Sequence, residues 1–229
     1  MSKNAPVAKR PPRREVAERP TTDPTRAKLV EAATEIFAER GYHAATVREI
    51  CLRAGANIAA VNYYFHDKLG LYTEVLRGAV ATVPAALRPI LERPLPPEQN
   101  LRAAIHAMIE RLYGRDRPSV PFRLMRHELV QPTPALAQVV DELIRPQYDR
   151  LRGTIGALLD LPADHETTRL CVHSVMGQAL FYPLTGPVIA RLWPQLKMTP
   201  ERLNQIADHI ADFSLAGIRS KHGGAWSAE

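Results

Sequence analysis

At 229 residues, with 45% hydrophobic and 24% charged side chains, the chain can bury a sizeable core as one large domain or two modest ones. Its formal net charge of +6 is uneven: residues 1–80 hold 13 basic and 9 acidic side chains, the remainder 17 and 15. Two cysteines make no disulfide scaffold, no apolar run reaches the ~18–20 residues that span a bilayer, and the amino terminus lacks a signal's apolar stretch; a cytoplasmic protein without a membrane partner is expected.

Residues 1–24 contain five prolines, six Lys or Arg and almost no large apolar side chain. Such a segment buries too little surface to offset its ordering entropy and is expected to be disordered. Two readings of it stand: a solvated tail, or a basic arm laid along DNA through Arg10, Arg13, Arg14 and Arg19. "TRAKLVEAATEIFAERG" then places Leu29, Ala33, Ile36 and Phe37 on one helical face and stops at Gly41. "TVREICLRAG" opens on Thr46 with Glu49 three residues on, the pattern of a reciprocal capping box, and buries Val47, Ile50, Cys51 and Ala54. Gly55 ends that helix (46–54), and Asn57 is a good N-cap for the next (57–65). A longer helix begins near Asp67 and runs through Leu71, Val75 and Leu76 into the proline cluster "RPLPPEQ".

Beyond Glu98, amphipathic helices are expected near 99–114, 120–131, 134–159, 165–183, 187–193 and 200–220. Thr133-Pro134 and Thr199-Pro200 read as an N-cap followed by proline at the first helical position, and "LDLPAD" as a stop with a restart at Asp164. Pro146 should kink the 134–159 helix. Strand-period alternation never persists. The fold expected is all-α: an N-terminal three-helix helix-turn-helix domain (25–80) after a basic arm (1–24), then a larger helical domain (81–221) and a short tail (222–229).

Within the helix-turn-helix, Val61 and Phe65 lie one turn apart and should pack against Ile36, Phe37 and Ile50. That leaves Ile58, Ala59, Ala60, Asn62 and Tyr63 outward. From Ala54 to Phe65 there is no charged residue. A helix entering the major groove profits from small side chains, thymine-contacting apolar surface and a bidentate amide such as Asn62; phosphates lie beside the groove rather than at its floor. The charge is therefore expected at the rims, from Arg48 and Lys68, with Arg26, Lys28 and the basic segment further out, aided by the hydroxyls of Thr46, Tyr63 and Tyr64. Tyr63 and Tyr64 also read as interfacial core aromatics, and Asn57 as a cap alone.

The run "TRAKLVEAATEIFAERGYHAATVREICLRAGANIAAVNYYFHDKLGLYTEVL", residues 25–76, resembles the DNA-binding domain of the TetR/AcrR family of transcriptional regulators. The shared features are the amphipathic first helix, the G-Y/F-x-x-x-T-V-R-E-I start, the A-G-x-x turn and the closing Y-F-x-x-K. The resemblance implies a homodimeric repressor gripping a palindromic double-stranded operator, with a C-terminal domain that dimerises and binds a small-molecule effector. It implies no cofactor. It also implies that Arg48, Asn57, Ile58, Ala59, Ala60, Asn62 and Tyr63 face bases or nearby sugar-phosphate, and that Thr46, Tyr64 and Lys68 contact phosphates. Here Gly55-Ala56-Asn57 replaces the family's common Gly-Val-Ser turn, and Ala59 stands where glycine is frequent, which leaves the operator sequence open. His66 is given no role.

"SVPFRLMRHELVQPTPALAQVVDELIRPQYDRLRGTIGALLDLP" resembles, more loosely, the C-terminal domain of the CecR-like regulators, which implies an effector pocket bordered by these helices. Phe122, Met125 and Leu129 share one face and Tyr148 and Leu151 another; His173, Met176 and Phe181 complete the candidate lining, though such a stripe also reads as plain core. Leu203, Ile206, Ala207, Ile210, Phe213, Ser214, Gly217 and Ile218 follow an a/d-like seam. Ser174, Gly177 and Ala179 would let another helix approach, so two helices from each of two subunits are expected to form a four-helix dimer interface; internal core helices are the alternative. Two other classes fare worse. An all-α enzyme lacks a constellation: His127 and Glu128 point apart, and His165, His173 and His209 have no HExxH-like spacing. A non-specific architectural binder would carry a more basic reading helix.

Overall fold

The computed structural model describes residues 23–91, 95–113 and 118–221; the expected arm up to residue 22 and the tail from residue 222 lie outside the described residues. Asp23 accepts from the Thr25 N–H at 2.8 Å and Pro24 takes the first helical position, so α1 (Pro24–Ala44) begins capped. Its regular part ends at Gly41, where φ turns to 73°. Thr46 caps α2 (Val47–Ala54), its Oγ1 accepting from the Glu49 N–H at 3.2 Å. The reciprocal half of the expected capping box gives way to an ion pair, because the Glu49 carboxylate turns to Arg40 at 2.9 Å. Gly55, at φ 61°, adopts the left-handed conformation that lets the chain reverse tightly. Asn57 then caps α3 (Ile58–Phe65) through Ala59 N–H at 3.0 Å.

α4 (Lys68–Leu91), α5 (Pro97–Leu112), α6 (Val120–Val130) and α7 (Ala135–Val139) follow. The single kinked helix expected over 134–159 is instead three consecutive segments: α7, a π-helical turn (Val140–Ile144) and α8 (Arg145–Leu159). Pro146 explains the widening. It has no N–H for the carbonyl four residues back, and the Arg145 N–H reaches to Val140 O instead. The chain closes with α9 (Glu166–Leu184), α10 (Gly186–Leu192) and α11 (Pro200–Arg219), the last capped by Thr199 as its Thr-Pro start predicts. Among the described residues there is no strand, and no helix is long and apolar enough to cross a membrane.

Two cores hold these helices. The second comprises Leu101, Ile105 and Ile109 of α5 with Leu151, Ile155 and Leu159 of α8, Val172 and Val175 of α9, and Ile206, Ile210 and Leu215 of α11. The first unites α1 to α4 around Leu29, Ile36, Phe37, Ile50, Val61, Phe65 and Tyr72, but Leu124 of α6 and Ala135 and Val139 of α7 complete it. The helix-turn-helix unit is therefore not sealed by residues 25–80 alone. At that junction Glu128 of α6 is fully buried; Tyr72 O–H of α4 donates to its Oε1 at 2.7 Å, and Thr133 N–H donates to its Oε2 at 2.9 Å. A buried carboxylate persists only when its oxygens are satisfied, so this knot ties α4 to the α6–α7 corner.

Candidate nucleic-acid interface

α3 is anchored by two residues and displays the rest. Val61 is 0% and Phe65 5% exposed, both in the first core, as the spacing predicts. On the opposite face Ile58 is 49% and Tyr63 59% exposed, and Ala59 and Asn62 stand out with them; Ala60 is half-buried. These outward positions recur at i, i+1, i+4 and i+5, one continuous face without a formal charge. Asn57 spends its Oδ1 on the cap and keeps its amide N–H groups, so one side chain can both cap and donate. Thr46 similarly accepts the Glu49 N–H and retains its own proton.

The rims are less basic than the sequence suggests. Arg48 and Lys28 are exposed. Lys68 is half-buried with its ammonium 4.4 Å from the Tyr42 ring centroid, and burial lowers its pKa. Arg26, by contrast, pairs with Glu74 at 2.8 Å and lies over the Phe65 ring at 5.3 Å. Arg53 pairs with Glu35 at 3.0 Å, and Arg77 with Glu142 of the π-helical turn at 3.0 Å. Tyr64 is half-buried and donates its hydroxyl proton to Asp23, which raises the Tyr64 pKa; its ring meets Tyr63 edge-on at 4.9 Å. That proton is thus committed to holding α3 against the start of α1.

Comparison with known proteins gives this geometry its family. Residues 29–75 match the bacterial regulatory proteins of the tetR family, and residues 97–218 match the C-terminal domain of the HTH-type transcriptional dual regulator CecR. CecR of Shigella flexneri is 30% identical over 207 residues, covering 85% of this chain and 92% of that one. The chain belongs to the TetR family of transcriptional regulators. Among solved structures, a transcriptional regulator from Rhodococcus sp. Rha1 superposes with a TM-score of 0.62 at 23% identity, over 84% of this chain and 96% of that one. The regulator FadR from Bacillus subtilis, solved with stearoyl-CoA, does so with 0.63 at 17%, over 83% and 98%. At these identities the likeness shows the fold. The relatives are transcriptional regulators rather than enzymes, and so is this TetR-family chain.

The other residues singled out in the C-terminal domain are scattered: some pack on one core or the other, and some face outward. Phe122 is buried; Met125 packs against the first core; Leu151 is buried in the second, with Tyr148 and Met176 half-buried against it. Leu129 and Phe181 are exposed at 56% and 54%. His173 is exposed and meets the Tyr148 hydroxyl at 3.0 Å. The eight do not gather round one space. The seam divides too: Ile206 and Ile210 turn inward to their own protomer's core and Leu203 packs against it, whereas Phe213, Gly217, Ser174 and Gly177 face outward. Periodicity marks both faces of such a helix, which is why these positions read as one stripe.

Sequence reasoning missed three residues that position the interface. Asp23 caps α1 and holds Tyr64; the Asp-Pro pair before the first helix signals the cap but not the partner. Tyr42 carries Lys68, and Tyr72 carries Glu128 across 56 positions, pairings that local sequence does not encode.

Proposed function

We propose that the chain acts as a homodimeric, sequence-specific repressor, released from a palindromic operator by a small-molecule effector bound in its C-terminal domain. The observation that carries this reading is the face of α3: Ile58, Ala59, Asn62 and Tyr63 project together, uncharged, from a helix clamped by two buried side chains. Such a surface suits the floor of a major groove, with Asn62 able to pair bidentately with adenine and Ile58 or Ala59 to meet thymine methyls. Thr46, Arg48, Asn57 and Lys68 flank it at phosphate positions.

Dimerisation is supported by an unpartnered stripe on α9. Leu170, Ser174, Gly177, Phe181 and Leu184 recur at alternating four- and three-residue steps, and all are exposed. Effector control is supported by the shared first core, since any displacement of α6 or α7 must be felt by α4 and so by the helix-turn-helix.

Footprinting with duplexes tiling the DNA upstream of the chain's own coding sequence tests the reading. A protected two-fold site is expected, and Asn62→Ala should relax discrimination at one base position per half-site by about 1–3 kcal/mol. An unprotected upstream region at modest ionic strength, or an Asn62→Ala protein with unchanged base preference, would overturn it.

A further inference from the structure

The helix that carries the uncharged face is held at few points. α3 has eight residues, fewer than the ~12–15 at which an isolated helix is still marginal in water, so its orientation is set by what it packs on. Val61 and Phe65 lie one turn apart on one line along the helix, which fixes its depth but leaves the roll about that line to other contacts. Its exit is strained. Only His66 and Asp67 separate α3 from α4, and His66 sits at φ 71°, a left-handed backbone in which an L side chain is crowded.

The contacts that fix the roll come from the first turn of α1. Tyr64, about 100° round the helix from Phe65, donates its hydroxyl proton to Asp23. Three positions further along α1, the Arg26 guanidinium lies 5.3 Å from the centroid of the Phe65 ring and donates to Glu74 of α4 at 2.8 Å, with 28% of its side chain exposed. One planar group on α1 thus grips both α3 and α4. A guanidinium suits this place because it can lie flat on a ring while its edge pairs with a carboxylate, which a compact ammonium cannot do in one pose. Through the edge-on contact of the Tyr64 and Tyr63 rings at 4.9 Å, the same turn of α1 also backs the outward-facing Tyr63. By charge and sequence position Arg26 belongs with the phosphate-facing cations of the rim, but its guanidinium is committed to a ring and a carboxylate of its own fold. We infer that Arg26 is a positioning residue: together with Asp23 it sets the roll of α3, and so the register of Ile58, Ala59, Asn62 and Tyr63 against base edges, and it does not bind phosphate. This rests on the reading of α3 given above and adds to it a residue that governs sequence discrimination without touching DNA.

The test compares the full-length chain with its Arg26→Gln variant by fluorescence anisotropy over a salt series. Two duplexes of equal length are used, the upstream one that footprinting protects and one of random sequence. The slope of log affinity against log salt counts phosphate contacts at about 0.9 apiece, while the ratio of the two affinities reports how well α3 meets its bases. Arg26→Gln should lower that ratio about five-fold or more, the worth of one base contact, and keep the slope on the random duplex. Partial unfolding does not mimic this result, because it scales both affinities alike. An intact ratio overturns the inference, and so does a slope lower by about 0.9 per protomer, which would make Arg26 a phosphate ligand. If Arg26→Gln fails to fold, Arg26→Lys decides by the same two readouts. It keeps the charge but not the planar fork, so the ratio should fall while the slope stays; an unaltered ratio overturns the inference. Should the unaltered chain bind the upstream duplex no better than the random one, the reading of α3 itself falls before any variant is compared.

Discussion

The carboxyl of Asp23 is held below its ordinary value, first by the Tyr64 hydroxyl and then by the Thr25 N–H. A carboxyl depressed in the folded state contributes stability above its unfolded value, near 3.8, and loses it as pH falls through the lower folded value. The same hydrogen bond pushes the Tyr64 hydroxyl up from 10.0, so that partner's share is complete below 10.0 and is lost only as pH rises through the higher folded value. The clamp is thus intact across the neutral range. In Tyr64→Phe the Asp23 carboxyl, followed by NMR, should titrate closer to 3.8 than in the unaltered chain; an unmoved midpoint would show that the Thr25 cap alone depresses it. Gly41 is a second single-residue constraint. Its φ is 73°, and a Cβ there would stand 2.8 Å from His127 Nδ1 of α6, while His127 Nε2 lies 3.4 Å from Ala38 O. Gly41→Ala therefore meets a strained backbone and a ring together, and the physical reason for glycine includes a contact 86 positions away as well as the helix stop visible locally.

Between elements, the Tyr72–Glu128–Thr133 knot decides how α4 meets α6. Glu128 is fully buried, and burial together with Glu128 drives the Tyr72 hydroxyl pKa upward, which keeps it a donor. Tyr72→Phe leaves a carboxylate oxygen short of one donor and should cost about 1–3 kcal/mol. For a chain of this size that corresponds to roughly 3–10 °C in melting temperature. Glu128→Ala strands the Tyr72 hydroxyl and the Thr133 N–H together and should cost more than Tyr72→Phe; calorimetry showing the reverse order would remove Glu128 from the centre of the knot. How much of this was legible follows from the range of each interaction. Asn57, Thr199-Pro200, Gly41 and Gly55 act within a few residues, so the sequence marks the helix boundaries and the uncharged face of α3. Arg40–Glu49 overrode the local capping box, and Pro146 widened a turn where a kink was expected, because packing chose between two local outcomes. The burial of Glu128 is set by α4, 56 positions earlier, and no local pattern announces it.

For the whole molecule, α9 and α11 present the surface on which the proposed dimer would pair. Their inward faces are spent on the second core through Val172, Val175, Ile210 and Leu215. Outward, Phe181 is 54% and Phe213 65% exposed, flanked by Ser174, Gly177 and Gly217, which carry little bulk to hold a neighbouring helix away. Two aromatic rings left in water at that level forgo burial worth about 1.5–3 kcal/mol apiece, a loss that pairing with a second copy would recover. A dimer built there would carry two α3 helices, and operator reading requires them about 34–36 Å apart so that each meets successive major grooves on one side of the duplex. Phe213→Glu should split that dimer, since two carboxylates would have to be buried near the symmetry axis, while the inward face of α11 stays as it was. In sedimentation runs the variant is expected to be monomeric at micromolar concentration with unchanged helix content, and to bind the operator with the affinity of one half-site. A chain that sediments as a monomer before the substitution yet protects both half-sites, or a Phe213→Glu protein that remains dimeric, would place the two-fold contact on some other face.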